Sequence, residues 1–90
     1  MLTQMSPAAH NPLPFVWHVV SLTPHAEKNP MYYYDELGRR ELAGGLTRRE
    51  AMSFYRNGRT DVLVRQKLGV FEGMTLWKDH PYAQWEEMAC

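Results

Sequence analysis

The stretch that decides the fold is Leu46–Gly58, Leu-Thr-Arg-Arg-Glu-Ala-Met-Ser-Phe-Tyr-Arg-Asn-Gly. Thr47 is suited to cap a helix, because its hydroxyl can accept a hydrogen bond from a free amide of the first turn. Glu50 stands three residues later and can reach back to the Thr47 amide, which completes a capping box. Gly58 offers a left-handed end, since glycine carries no Cβ penalty there. The stretch therefore predicts one helix over about residues 47–57.

One face of this helix is apolar, and a helix of ~10 residues is marginal in water unless that face is packed. The preceding run Phe15–Leu22 is β-branched and aromatic throughout, which is typical of a strand. We therefore expect the helix to lie on a sheet. The apolar positions, which recur at helical spacing, are Ala51, Met52, Phe54 and Tyr55.

Further strands are indicated on both sides of the helix. A hairpin is expected from residues 31–34 and 39–43, because Asp35 and Gly38 suit the first and last positions of a tight turn. Gly44 and Gly45 are expected to let the chain leave the sheet before the helix. The later elements we predict are a strand over 61–66, a short hairpin turning at Glu72-Gly73, and a helix starting with Pro81.

The octet Tyr-Tyr-Tyr-Asp-Glu-Leu-Gly-Arg at 32–39 resembles the hairpin core of the tyrosine-aspartate repeats in large bacterial shell-forming toxins. Those proteins carry many tandem copies, and this chain has one. The resemblance implies a hairpin at these residues and no wider kinship.

The fold predicted from these elements is α+β. We expect a small, mostly antiparallel sheet of four or five strands, with a central helix at 47–57 and a short C-terminal helix at 81–89 packed on it. Strands 39–43 and 61–66 could be parallel neighbours joined by a helical crossover, or could be separated within an antiparallel sheet. The sequence leaves both arrangements open.

The chain has 90 residues, 44% of them hydrophobic and 22% charged, which is enough for one modest core. Three prolines make residues 1–14 a flexible N-terminal arm, so we expect a single domain over 15–90. Zero net charge gives no reason to expect attraction to a membrane. One cysteine, Cys90, excludes an internal disulfide, and no signal peptide or membrane span is indicated. A cytoplasmic protein is the expectation.

Catalytic and metal-binding patterns are missing from the sequence. The four histidines are scattered, and no pair has the spacing of metal ligands. No nucleophile elbow or phosphate-binding loop is present. We therefore expect no enzyme activity, no metal and no cofactor.

Arginines provide the first candidate binding surface. Arg48 and Arg49 occupy the first helical turn, where the helix dipole disfavours cations by a few tenths of a kcal/mol. Positive charge at such a position favours an external anionic partner. The alternative is a solvated face neutralised by nearby carboxylates. The candidate set is Arg39, Arg40, Arg48, Arg49, Arg56 and Arg59.

Aromatic side chains provide the second candidate surface. Three Trp, five Tyr and three Phe are difficult to bury completely in so small a body. Exposed tyrosine or tryptophan beside arginine is typical of interface hot spots, and Tyr33 and Trp85 are the candidates. The same rings would serve for stacking on bases.

These features favour a non-enzymatic module that binds a larger protein with an acidic surface. Its size and lack of catalytic groups suit an inhibitor or accessory factor, such as phages and mobile elements encode. Two alternatives remain open. One is a nucleic-acid-binding accessory protein that uses the same arginines, and the other is a homo-oligomeric subunit, for instance a homodimer, joined through its terminal helix.

Overall fold

The computed structural model describes residues 14–89, with side chains to residue 87. The predicted arm 1–14 therefore lies outside the described residues except for Pro14, as does Cys90. The elements in chain order are β1 (Trp17–Ser21), β2 (Glu41–Leu46), α1 (Arg48–Arg56), β3 (Val62–Phe71), β4 (Met74–His80) and α2 (Tyr82–Ala89). They form a small α+β fold, as predicted.

The sheet has four strands in the order β2-β1-β3-β4, and every neighbouring pair is antiparallel. β1 lies between β2 and β3, so these two strands are not neighbours. The second of the two arrangements that the sequence left open is therefore the observed one.

Helix α1 forms as its sequence dictates. Thr47 is the N-cap, where its hydroxyl accepts a hydrogen bond from the Glu50 amide at 3.1 Å. The Thr47 amide in turn donates to the Glu50 carboxylate at 2.8 Å, so the predicted capping box is present. Asn57 caps the other end, and Gly58 follows with φ of 84°. The helix packs across one face of the sheet, against β1, β2 and β3, and "central" describes it only loosely.

The main core lies between α1 and this face of the sheet. Tyr55 is its largest fully buried side chain. The Tyr55 hydroxyl accepts a hydrogen bond from the Val64 amide at 2.9 Å and donates to the His80 carbonyl at 2.8 Å. Burial raises the pKa of this hydroxyl. The buried cluster consists of Trp17, Val19, Ala51, Met52, Tyr55, Val62 and Val64.

The predicted first hairpin is largely wrong. Residues 31–34 form no strand, and a single bridge between Tyr34 and Arg40 is what remains of the pairing. The tight turn is present, since the Gly38 amide donates to the Asp35 carbonyl at 3.0 Å. The predicted hairpin does not form because Glu41–Leu46 pairs with β1 instead. Gly44 and Gly45 therefore lie inside β2, and the prediction that they let the chain leave the sheet is wrong.

The second hairpin is confirmed and is longer than predicted. β3 continues to Phe71, well past residue 66, and turns through Glu72 and Gly73. Both turn residues have positive φ, 52° and 78°, as a two-residue hairpin turn of this hand requires. β4 runs to His80 and Pro81 then precedes α2, so this helix begins one residue later than predicted.

Candidate functional site

The arginines predicted to bind a partner lie in different surroundings. Arg48, Arg49 and Arg56 are exposed on α1, and we call these three the arginine surface. Arg56 donates to the Arg49 carbonyl at 2.8 Å, which fixes its guanidinium on the outside of the helix. Within residues 14–89 no carboxylate forms an ion pair with any of the three.

Of the other three candidate arginines, two make side-chain contacts within the chain. Arg59 forms two hydrogen bonds to the Asp61 carboxylate, at 2.7 and 3.0 Å. Arg40 lies over the Tyr32 ring, 4.2 Å from its centroid, and is half-buried. Arg39 is also half-buried, close to the Asp35 turn, where its amide donates to the Asp35 carboxylate. Arg40 and Arg59 are therefore less free than the arginine surface to meet a partner.

The two aromatic candidates lie in different environments. Tyr33 is 82% exposed, in the loop that precedes β2. Trp85 is half-buried on α2, with its ring 5.9 Å from that of Tyr55 and 5.7 Å from that of Tyr82. Tyr33 is thus available at the surface, whereas Trp85 helps to attach α2 to the core.

The outer part of the β3–β4 hairpin, residues 68–76, exposes a run of apolar side chains. β1 pairs with β3 as far as Gln66, and the Lys67 amide still donates to the Val16 carbonyl at 2.8 Å, so beyond Lys67 β3 is paired with β4 alone. We call this part the hairpin arm. Its apolar side chains are 44–67% exposed: Leu68, Val70, Phe71, Met74 and Leu76.

Sequence reasoning missed the hairpin arm as a surface. The Glu72-Gly73 turn indicated a short hairpin, but the sequence did not show that this hairpin would be left uncovered by other strands. The available signal was apolar residues on both sides of the Glu72-Gly73 turn, at positions that fall on opposite faces.

A buried arginine organises the sheet face that points away from the helices. Arg65 is 7% exposed, and its guanidinium donates to Asp35 and to Asp79, each at 3.0 Å. The same guanidinium lies 4.7 Å from the centroid of the Trp77 ring. Residues 22–40 contain no strand, and the Arg65–Asp35 pair ties this segment to β3.

A groove of about 380 Å³ opens beside Arg65. One wall comes from loop residues 33–36 and the other from residues 73–77 of the hairpin. Near it, His18 and Glu41 form a 2.9 Å hydrogen bond, and the His18 ring meets the edge of Trp77 at 4.9 Å. The groove therefore combines aromatic rings with charged groups.

Histidine and carboxylate side chains do not converge on a metal site. Within the described part of the chain, no group of three or more His, Cys, Asp or Glu residues is arranged to hold a metal ion. Neither of the two helices found within residues 14–89 is long and apolar enough to cross a membrane.

Comparison with family models, with curated proteins and with solved structures found no match. The class of protein is therefore defined by the fold alone, a four-stranded antiparallel open sheet with two helices, one of them short.

Proposed function

We propose that this chain is a non-enzymatic protein-binding module. The observation that supports the proposal most is the hairpin arm, whose five large apolar side chains are 44–67% exposed. Contiguous apolar surface is costly in water and marks interaction sites in folded proteins. A binding partner that covers the arm would remove this cost.

The register of the arm favours a partner with a cleft over a flat contact. Val70 is opposite Thr75, while Phe71 is opposite Met74, so successive pairs point to opposite faces of the hairpin. Apolar side chains therefore lie on both faces. A two-fold contact between two copies through one face would leave the other face in water, whereas a cleft would cover both.

The arginine surface lies on the same side of the sheet as one face of the arm. Met74 and Leu76 lie an even number of residues before His80 on β4, so their side chains are on the same face of the sheet as that of His80. His80 pairs with the core residue Val64, which places this face on the helix side. A partner lying on this side would meet apolar anchors together with Arg48 and Arg49. Apolar anchors bordered by arginine are typical of protein interfaces. The partner we propose is a larger protein with acidic residues around an apolar cleft.

A biological role that fits these properties is an inhibitor or accessory factor acting in the cytoplasm, of the kind that phages and mobile elements encode. Size, the lack of a recognisable catalytic motif and the exposed arm support this role.

The proposal is tested by affinity capture from extracts of the cells that express the protein. We expect the double variant Phe71→Ser/Leu76→Ser to lose a stoichiometric partner that the wild type retains. The control is Leu22→Ser/Leu37→Ser, which removes two leucines of similar exposure, 45% and 57%, that are not part of the arm. Equal capture by wild type and the arm variant would contradict the proposal.

Charge is tested separately with Arg49→Glu, which we expect to weaken capture and to make the residual binding less sensitive to salt. If the protein instead binds generic DNA or RNA, and this binding weakens steeply with salt, the nucleic-acid alternative replaces the proposal. A dimer in light scattering that dissociates on Phe71→Ser/Leu76→Ser would replace the larger partner by a second copy.

A further inference from the structure

The groove between residues 33–36 and 73–77 lies on the sheet face opposite the main core. It is floored by Val20, which is 4% exposed, and by the buried Arg65. Its volume of about 380 Å³ is at the small end of the range for ligand sites, about 300–1,000 Å³. This space accommodates one long side chain with its flanking backbone.

Aromatic rings form much of the groove. Tyr33, Tyr34 and Trp77 line it, together with Thr75 from the hairpin. Rings of this kind attract a cation placed over their faces within ~6 Å of the centroid, and tryptophan does so most strongly.

The chain's own arginines already use these rings in this way. Arg65 lies 4.7 Å from the Trp77 centroid, on the floor of the groove. Arg40 lies 5.9 Å from the centroid of Tyr34. Two of the three rings that line the groove therefore carry a guanidinium from within the molecule, while Tyr33 is 82% exposed and is free to cover another one.

The charges that line the groove also favour a cationic ligand. Its lining contains three carboxylates, Asp35, Glu36 and Glu41, against one cation, Arg65. Asp35 is taken up by Arg65 at 3.0 Å, and Glu41 accepts from His18 at 2.9 Å. Glu36 is exposed and forms no ion pair within residues 14–89. A cation would be stabilised in this groove, and an anion would be repelled.

We infer that this groove is a binding site for the basic side chain of a polypeptide, and for arginine in particular. A planar guanidinium can stack on Tyr33 while donating to the Glu36 carboxylate, which a lysine ammonium does less well. The site lies on the opposite face from the arginine surface, and the inference does not depend on what the hairpin arm binds.

The test is an NMR titration of the full chain with the peptide acetyl-Gly-Arg-Gly-amide. The three tryptophan indole N–H signals act as reporters, because Trp77 lines the groove while Trp17 and Trp85 pack in or against the main core. We expect a saturable shift of the Trp77 signal alone, and a weaker response to the lysine peptide. The glutamine peptide should give none.

Matched variants locate the site. Glu36→Gln removes the free carboxylate from the groove, and we expect it to weaken binding by about 2- to 5-fold, the range for an exposed ion pair. Glu72→Gln makes the same change at the hairpin turn, outside the lining, and should leave the affinity unchanged. The inference is overturned if the glutamine peptide shifts Trp77 as strongly as the arginine peptide. It is also overturned if the two variants weaken binding equally.

Discussion

The two faces of this sheet are built from the same strands but are covered in different ways. On the helix side, Trp17, Val19 and Val64 pack against α1, and Tyr55 is the main polar group within the cluster. On the other side, Arg65 bridges Asp35 and Asp79 beneath a loop without regular structure. One face is held mainly by apolar burial, and the other combines the buried Val20 and Leu63 with directed polar contacts.

This difference decides which surfaces remain for binding. Apolar burial is non-directional and tolerates repacking, so α1 can cover the middle of the sheet on the helix side. Polar contacts need defined partners at defined distances, so the loop that carries them cannot follow the sheet everywhere. The groove lies where that loop and the hairpin separate. This difference between the two faces can be tested with substitutions that remove contacts on one face at a time.

The largest effect is expected from the helix side. Tyr55→Ala removes the largest fully buried side chain of the core, and we expect it to lower the free energy of unfolding by about 4 kcal/mol. Tyr55→Phe keeps the ring but leaves the Val64 amide and the His80 carbonyl without their hydroxyl partner, at a cost of about 2 kcal/mol. Urea denaturation measures both. A loss below about 1 kcal/mol for Tyr55→Ala would show that the core does not depend on α1 in this way.

The next effect is expected from the opposite face. Arg65→Met removes the guanidinium but keeps an aliphatic stem, and leaves the Asp35 carboxylate, 12% exposed, without its cation. We expect a loss of about 3 kcal/mol, the usual cost of breaking a buried pair. Hydrogen exchange should also become faster at the amides of Leu37 and Arg39, which donate to Asp35.

The matched control for this variant is Lys67→Met, the same change two residues along β3 at an exposed position. It should leave stability and exchange almost unchanged. If Arg65→Met behaved like this control, the loop would be held by something other than the ion pair.

A smaller effect is expected at the start of α1. Thr47→Ala removes the hydroxyl that accepts from the Glu50 amide, and we expect a loss of about 1 kcal/mol. Thr60→Ala, in the exposed segment after the helix, has no capping role and should cost nothing measurable. Thermal unfolding followed by circular dichroism distinguishes the two. Equal shifts would mean that packing alone positions the helix.

Helix α1 could be predicted from the sequence because the residues that begin and end it act locally. Thr47, Glu50 and Gly58 act on amides and backbone angles within a few residues of themselves, so the signal is complete in the sequence. The turn at Glu72-Gly73 was predictable for the same reason. Strand order was not, because the pairing of β1 with both β2 and β3 depends on residues far away in the chain.

The candidate site divides in the same way. Exposure of Arg49 and Arg56 follows from their place on the outer helix face, and the sequence was sufficient for it. Pairing of Arg65 with Asp35 joins residues 30 apart, which no local pattern indicates. The burial of Trp85 against Tyr55 is also a tertiary contact. The groove could therefore be found only once the strands and the loop had been placed.

The smallest expected effect is a change of stability with pH, and it arises from His80 at the end of β4. Burial lowers the pKa of His80, and the charges of Lys78 and Arg48 act in the same direction. The ring lies 4.7 Å from that of Trp17, and its Nε2 is 3.2 Å from the Gln66 side-chain oxygen, as suits a neutral imidazole that donates there.

Because this pKa is depressed in the folded state, the unfolded chain takes up a proton first as the pH falls below about 6.5. The stability that neutral His80 contributes is therefore present above that pH and is lost as the pH falls toward the folded-state pKa. His80→Gln, which cannot titrate, should lose less stability than the wild type between pH 7.5 and pH 5, as measured by urea denaturation at each pH. Parallel curves for the two proteins would show that protonation of His80 does not oppose folding, and that the junction between the helix side and β4 tolerates a charge.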